Sequence, residues 1–218
     1  MNNPVFFLLA IISVSCINQN SNVFTPVVDF SVFEQRNGIN AGNIIENNDM
    51  PEWLFAYING GNEAVERLET FSNKYVFIGV NEGSNLNALK RWADNISAAY
   101  DFPMLVAERV EKRMIATASF FPDDEYGAFF EVMVKSASSG VYSGSEKEGS
   151  HWIRVRSANG NNGNSTEKYM FFVLITIDKL NMQSIIRSML TRSSTAVRVT
   201  TAQGSAINRL RQNFFEGF

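Results

Sequence analysis

The sequence predicts an α+β domain in which a small antiparallel sheet packs against two or three helices, after a flexible N-terminal tether. Residues 75–80 and 169–177 are uninterrupted apolar segments rich in aromatic and β-branched side chains, as buried strands are. Three other segments have apolar residues at every third or fourth position, which is the spacing of amphipathic helices. A polar loop at 159–166 separates two strand-like segments, and this arrangement predicts a hairpin with antiparallel pairing.

The composition is that of a folded protein. With 218 residues and 45% hydrophobic side chains, the chain can form one domain of ordinary size plus extensions. A net charge of -3 gives no strong field, so no nucleic-acid partner is indicated. Cys16 is the single cysteine, which excludes an internal disulfide and a cysteine-rich metal site.

The first part of the domain is predicted to be an exposed entry at residues 51–53, followed by a short helix. Asn62 or Glu63 is expected to cap that helix, which would continue to about Phe71. Three aromatic residues of the entry are candidates for an interaction patch, or else they cover the sheet edge of their own domain. They are Trp53, Phe55 and Tyr57.

The strand at 75–80 carries no charge, which predicts burial on both faces. Gly79 within it would let a neighbouring backbone or helix approach closely. Gly79 and Gly83 also flank a strand-to-helix turn, as in nucleotide-binding loops. The spacing of a P-loop and its Lys-Ser/Thr pair are absent, so phosphate binding is the weaker interpretation.

A long helix is predicted from Leu86, with Ser84 or Asn85 as its N-cap and a break or kink at Pro103. Glu108 and Lys112 should form an i, i+4 ion pair on its exposed face. Its predicted inward residues are Leu86, Leu89, Ala93, Ile96, Tyr100, Val106, Val110 and Met114.

A second helix is predicted from Tyr126 to a stop near Gly140, with Asp124 as its N-cap. Residues 130–134 are also compatible with a strand. Its predicted inward residues are Tyr126, Phe129, Phe130, Met133 and Ala137. Residues 141–145 and 151–156 read as two strands around Gly149.

The last predicted helix covers residues 182–191 and is capped by Asp178 or Asn181. The tail beyond Ser193 contains an amphipathic segment, which either docks on its own domain or meets anionic lipid or a partner groove. Its apolar residues in phase are Ile207, Leu210 and Phe214.

The N-terminus resembles a bacterial lipoprotein signal. Residues 5–12 are apolar but too short to span a bilayer, for which about 20 residues are needed. Small residues at 13–15 then lead to Cys16, the expected site of lipidation, although Ser13 stands where leucine is usual and no Lys or Arg precedes the apolar core. The alternatives are a plain cleaved export signal and an apolar segment whose thiol is incidental. Ile17, rather than aspartate, after the cysteine favours the outer membrane.

These observations give four segments. They are a signal peptide at 1–15, a lipidated tether at 16–49, an α+β domain at 50–192 and a C-terminal extension with an amphipathic helix at 193–218. A further option is that residues 27–33 of the tether add an edge strand to the sheet.

No catalytic or cofactor site is predicted. His151 is the only histidine, so it cannot form an ordinary zinc site, and a hydrolase would need it to meet Asp123 or Glu146 in one pocket. Glu108 and Glu111 are interpreted as solvent-exposed charges on a helix rather than as a catalytic acid/base pair. Asp123, Asp124 and Glu125 lack the ligand spacing of a calcium loop and read as the charged start of a helix.

Several features in this order resemble the LPP-twenty-type family of small bacterial surface lipoproteins, over roughly residues 50–192. They are the Pro-x-Trp motif at 51–53, the Phe-Ile-Gly-Val core at 77–80, the following helices, and the Tyr-Met-Phe-Phe-Val-Leu-Ile strand at 169–175. The resemblance implies an α+β domain held at the cell envelope without catalytic activity. Only the lipidated Cys16 transfers from the family as a site.

The function expected from the sequence is therefore a membrane-anchored envelope lipoprotein with a non-catalytic binding or scaffolding role. Its expected partners are the membrane, through the lipid, and an envelope protein, whereas neither nucleic acid nor a cofactor is expected. The alternative is a soluble secreted or periplasmic binding module without lipid. The oligomeric state is left open.

Overall fold

The computed structural model describes residues 43–46, 50–96, 101–117, 126–158, 165–196, 201–216 and 218. Six α-helices lie within these ranges, together with a short 3-10 helix at Glu69–Phe71. The helices are α1 (Glu52–Glu66), α2 (Leu86–Asn95), α3 (Phe102–Thr117), α4 (Tyr126–Ser138), α5 (Lys179–Ala196) and α6 (Thr201–Asn213). The strands are β1 (Asn43–Glu46), β2 (Lys74–Gly83), β3 (Glu146–Ala158) and β4 (Ser165–Asp178).

The four strands form one antiparallel sheet in the order β1-β3-β4-β2. β3 and β4 are a hairpin whose register runs from Ala158 opposite Ser165 to Glu146 opposite Thr176. β2 pairs with the other side of β4. The predicted fold class, α+β with a small antiparallel sheet and helices packed on it, is confirmed, as is the hairpin.

Both faces of the sheet are covered, because side chains alternate between the faces of a strand. One face packs against α1 and is called the α1 core. Its buried sheet residues are Val76, Ile78, Ile153, Val155, Met170, Phe172 and Leu174. The other face packs against the remaining helices, with Tyr75, Phe77, Phe171, Val173, Ile175 and Ile177 buried. The burial of residues 75–78 on both faces confirms the sequence prediction for this strand.

α1 begins earlier than predicted, directly after Pro51, whose carbonyl accepts hydrogen bonds from the amides of Leu54 and Phe55. Residues 51–53 are therefore the start of a helix rather than only an entry. Gly61, with φ 71°, interrupts the helix. The helix start predicted at Asn62 coincides with the start of the second part of α1, after Gly61.

α2 ends at Asn95, earlier than the predicted break. The N-cap prediction is confirmed, since Asn85 Oδ1 accepts from the Ala88 amide at 3.1 Å. Pro103 lies in the first turn of α3, where its missing N–H is not needed. Gly79 acts as predicted, because a Cβ there would lie 2.9 Å from Ile96 Cδ1.

The segment predicted as a strand at 141–145 is a turn, so that prediction is wrong. Gly144 has φ 81°, and the Ser145 amide donates to the Tyr142 carbonyl at 3.3 Å. Tyr142 faces inward and is buried. β3 begins after this turn and continues through Gly149 as one strand with an irregularity in register.

The remaining predicted helices are present. α4 ends two residues before Gly140, with Phe129, Met133 and Ala137 buried, which rules out the strand alternative for 130–134. Asp178 Oδ1 accepts from the Asn181 amide at 2.9 Å, as expected of a helix cap.

The C-terminal segment packs onto the same core as the helices on the second face of the sheet. Its buried members are Ile207, Leu210, Phe214 and Phe218. Arg113 of α3 donates to the Phe214 carbonyl at 2.7 Å and holds this end in place. Docking on its own domain is one of the two roles expected for this segment.

At the N-terminal side, residues 43–46 of the predicted tether form the edge strand β1 beside β3. The suggested strand at 27–33, the apolar run at 5–12 and Cys16 lie outside the described residues. So do Tyr100, Asp123, Asp124 and Glu125. In the described part of the chain, no helix has the length and apolar character needed to cross a membrane.

Candidate functional site

The residues proposed for hydrolase chemistry are not brought together by the sheet. His151 lies opposite Phe172 on β4, and Glu146 lies opposite Thr176. Four residues of β4 separate these positions, which is about 13 Å at about 3.3 Å per residue. Asp123 is not among the described residues. Within the described ranges, no group of three or more His, Cys, Asp or Glu side chains could hold a metal ion.

The other polar and aromatic candidates have structural positions. Glu108 is exposed and pairs with Lys112 at 2.7 Å, as predicted. Glu111 is exposed on the same helix. Of the three aromatic residues proposed as a patch, Tyr57 is buried in the α1 core and Trp53 packs partly against it. Phe55 alone is exposed, at 37%. The patch is therefore mainly a cover for the sheet.

A buried ion pair closes part of the free edge of β2. Glu66 of α1 and Arg109 of α3 meet at 2.7 Å, with side chains only 10% and 13% exposed. Glu66 Oε1 accepts from the Val76 amide at 2.9 Å, and Arg109 Nη1 donates to the Val76 carbonyl at 3.2 Å. The pair thus satisfies the backbone groups that a neighbouring strand would otherwise bind.

Aromatic rings surround the arginine of this pair. The Arg109 guanidinium carbon lies 4.9 Å from the ring centre of Tyr75, 5.2 Å from that of Phe77 and 4.8 Å from that of Phe218. Cation–π attraction adds to the stabilisation from the ion pair, because the arginine side chain is largely buried. The arrangement links the two helical layers around the sheet edge, and both charges are already engaged, so it is structural.

A second polar cluster lies nearby on the α1 side of the sheet, where Thr176 is the register partner of Val76. Glu148 accepts hydrogen bonds from Lys74 and, at 2.8 Å, from the Thr176 hydroxyl. The hydrogen bond from Lys74, followed by that from Thr176, lowers the pKa of Glu148 below its usual value. Both hydrogen bonds go to Oε1, and an ionised carboxylate has no proton to give, so this cluster is an ion-pair ladder across three strands.

The candidate site is an open groove between the end of α4 and the exposed face of α5, called the α4–α5 groove. It has two adjoining parts with volumes of about 440 and 480 Å³, which share Ser184, Ser188 and Arg192. Its other lining residues are Ser136, Ser139, Gly140, Val141, Leu180, Gln183, Ile185, Arg187, Met189 and Thr191. Small side chains on both helices leave this space open.

The floor of the groove is built by close packing at Gly140. A Cβ at this position would lie 2.4 Å from Met189 Cε, so a larger residue would require the end of the Met189 side chain to move. The Tyr142 hydroxyl below it donates to the Ala137 carbonyl at 2.8 Å. Burial raises the pKa of Tyr142, so the hydroxyl keeps the proton it donates.

The turn at 141–145 is fixed to α5. Asn181 Nδ2 donates to the Ser143 carbonyl at 2.6 Å, next to the positive-φ Gly144. Val141 extends from this turn with 81% of its surface exposed, and Leu180 on α5 is 77% exposed. The groove is therefore formed in advance and has an exposed apolar side chain in each of its two parts.

The charge of the groove is positive. None of the described residues that line it is acidic, and two of them are arginines. Arg187 lies over the Phe215 ring at 5.3 Å, which orients its guanidinium. Among the described residues, no carboxylate lies within 4.0 Å of either Arg187 or Arg192.

This groove is not predicted from the sequence, although the chain from Lys179 onward contains six Lys or Arg residues and one acidic residue. A signal was present in α5, where hydroxyl and arginine side chains recur at helical spacing on the outward face. They are Ser184, Arg187, Ser188, Thr191 and Arg192. No comparable spacing in the sequence indicates that α4 and the turn after it also line the groove.

Comparisons with protein-family models, with curated proteins and with solved structures find no match to this chain.

Proposed function

We propose that this protein is a lipid-anchored component of the bacterial cell envelope, directed to the outer membrane, whose α+β domain has a non-catalytic role in binding or scaffolding. The observation that carries the proposal is the short apolar run at 5–12 followed by small residues and the single Cys16. An exported protein has little use for one free thiol, whereas an acylated cysteine at this position would serve as an anchor.

The described domain gives this proposal further support. Both faces of its sheet are covered by helices, and its buried ion pair and cross-strand ladder serve the fold. The α4–α5 groove is open, preformed and positively charged, as a binding surface can be. The resemblance to LPP-twenty-type lipoproteins at residues 51–53 and 77–80 points to the same role.

The energetics of acylation explain what the anchor would do. Each buried methylene contributes about 0.8 kcal/mol, so two or three acyl chains together make release from the membrane very slow. The domain would then work at the membrane surface.

The test is the intact mass and the membrane partition of the full chain expressed in a bacterium that processes lipoproteins. Cys16→Ala removes the acylated atom. Ser15→Ala is the matched control, because it keeps a small residue before the cysteine. We expect wild type and Ser15→Ala to begin at Cys16, carry acyl mass and sediment with membranes, while Cys16→Ala stays unprocessed or soluble.

An unmodified wild-type chain in the soluble fraction would contradict the proposal. It would favour the alternative, a soluble secreted or periplasmic binding module. A chain that is acylated but found in the inner membrane would contradict only the outer-membrane address.

A further inference from the structure

We propose that the α4–α5 groove binds an extended, acidic segment of a protein partner. This inference names the partner chemistry for the binding role proposed above and rests on that role. It is carried by four properties of the groove, namely its unpaired positive charge, the orientation of its hydroxyl groups, its length and its exposed apolar side chains.

The charge selects an acidic ligand. Arg187 and Arg192 have no carboxylate within 4.0 Å among the described residues, and none of the described lining residues is acidic. Guanidinium groups bind carboxylates through paired, charge-assisted hydrogen bonds. The contact of Arg187 with Phe215 reduces the conformational freedom that binding would otherwise cost.

The hydroxyl groups favour a peptide backbone. Three of them donate to carbonyls of their own helix: Ser188 to Ser184 at 3.0 Å, Thr191 to Arg187 at 2.9 Å and Ser139 to Lys135 at 2.8 Å. Their protons are thus committed, and their remaining lone pairs can only accept. A ligand that brings both N–H donors and carboxylates, as an acidic peptide does, complements these acceptors and the arginines together.

The dimensions fit an extended segment. The exposed face of α5 from Leu180 to Arg192 is about 18 Å long at about 1.5 Å per residue, which matches five or six extended residues at roughly 3.3 Å each. Val141 and Leu180, in the two parts of the groove, can contact apolar side chains of that segment. The hydrogen-bond acceptors on this surface suit the N–H groups of a peptide better than the anionic surface of a bilayer.

The test measures the fluorescence anisotropy of a labelled peptide built from the repeat Glu-Glu-Leu-Ser, titrated with the full-length protein in mild detergent. The same peptide with glutamine in place of glutamate tests the charge requirement of the ligand. Vesicles of anionic phospholipid are titrated in parallel. All measurements are repeated with Cys16→Ala, which separates groove binding from lipid anchoring.

Two kinds of variant separate groove binding from general electrostatics. Arg187→Ala with Arg192→Ala removes the charge of the groove. The matched control, Arg67→Ala with Arg91→Ala, removes two exposed arginines elsewhere. Ser188→Trp fills the groove without changing charge, and its exposed position makes the substitution compatible with folding. Far-UV circular dichroism verifies that each variant is folded.

We expect the acidic peptide to bind wild type, Cys16→Ala and the control variant with the same affinity. Binding should weaken at least tenfold, about 1.4 kcal/mol, in the groove variant, and it should also weaken in Ser188→Trp and with the glutamine peptide. Equal losses in the two double arginine variants would overturn the proposal, as would binding of vesicles but not of peptide. If acyl mass is absent but peptide binding follows this pattern, the lipoprotein proposal fails and the groove proposal stands.

Discussion

Replacing Glu66 by glutamine would leave the Arg109 guanidinium charged, only 13% exposed and without a carboxylate, while keeping the size of the side chain. A buried charge without its partner is costly because water cannot replace the lost interaction. The Val76 amide, which now donates to Glu66 Oε1 at 2.9 Å, keeps an acceptor in the glutamine carbonyl oxygen, so the variant removes mainly the charge. Glu66→Gln therefore tests whether this ion pair stabilises the sheet edge.

The magnitude follows from burial. Breaking a buried pair by removing one partner costs about 3–5 kcal/mol, and the remaining exposure at this site places the cost near the lower limit, about 3 kcal/mol. For a domain of this size the corresponding fall in Tm is about 6–12 °C. Arg109→Met should cost a similar amount, and the double variant should cost less than the sum, with a coupling of about 1–3 kcal/mol.

The assay is urea unfolding followed by circular dichroism and by the fluorescence of the three tryptophans. The same helix, α3, offers a control in the exposed pair Glu108–Lys112, whose coupling should be only about 0.3–0.5 kcal/mol. A coupling for Glu66–Arg109 as small as that of the exposed pair would refute the reasoning. Sedimentation velocity should also show more self-association in the double variant, because the backbone groups of Val76 become free at the edge.

Two further predictions concern packing and pH. Gly79→Ala should destabilise the fold by about 1–3 kcal/mol, since its Cβ would lie 2.9 Å from Ile96 Cδ1. Gly127→Ala should stabilise the fold by about 0.5–1 kcal/mol, because a Cβ at that position would have no atom within 4 Å. The midpoints of urea unfolding check both predictions. The hydrogen bond from Lys74 is the main cause of the lowered pKa of Glu148. The ionised carboxylate should therefore stabilise the fold at a pH above its ordinary pKa of about 4.3, and this contribution should be lost as the pH falls through the lowered pKa. The difference in urea midpoint between wild type and Glu148→Gln should therefore be full near about pH 7 and small near about pH 3, and a constant difference would contradict this cause.

Much of the fold could be predicted because its signals are local. The apolar run at 75–80 indicated a strand buried on both faces, and the spacing of Phe129, Met133 and Ala137 indicated the inward face of α4. The polar loop at 159–166 indicated the hairpin. Each of these patterns depends on residues a few positions apart, where side-chain period and turn chemistry are visible in the sequence.

The errors arose where a local signal was ambiguous. Glycines at 60 and 61 hid the first part of α1, since a positive φ at Gly61 divides a helix that is otherwise continuous. Pro103 predicts a break or kink in one long helix, whereas the structure has two helices and places Pro103 in the first turn of the second, where proline is acceptable. Val141 and Tyr142 have strand-like side chains, yet the hydrogen bond from Tyr142 to Ala137 turns the chain.

The ion pair and the groove could not be predicted from the sequence, because each depends on contacts between distant residues. Glu66 and Arg109 lie on separate helices, and the groove requires Met189 to pack against Gly140. The ion pair and the groove also differ in whether their polar groups already have partners. Val76 at the edge of β2 is already bonded to side chains, which disfavours strand addition there, whereas Arg187 and Arg192 are left without carboxylates in the described chain. Stability should therefore respond to the first pair of residues and partner binding to the second, so variants of either pair serve as controls for the other.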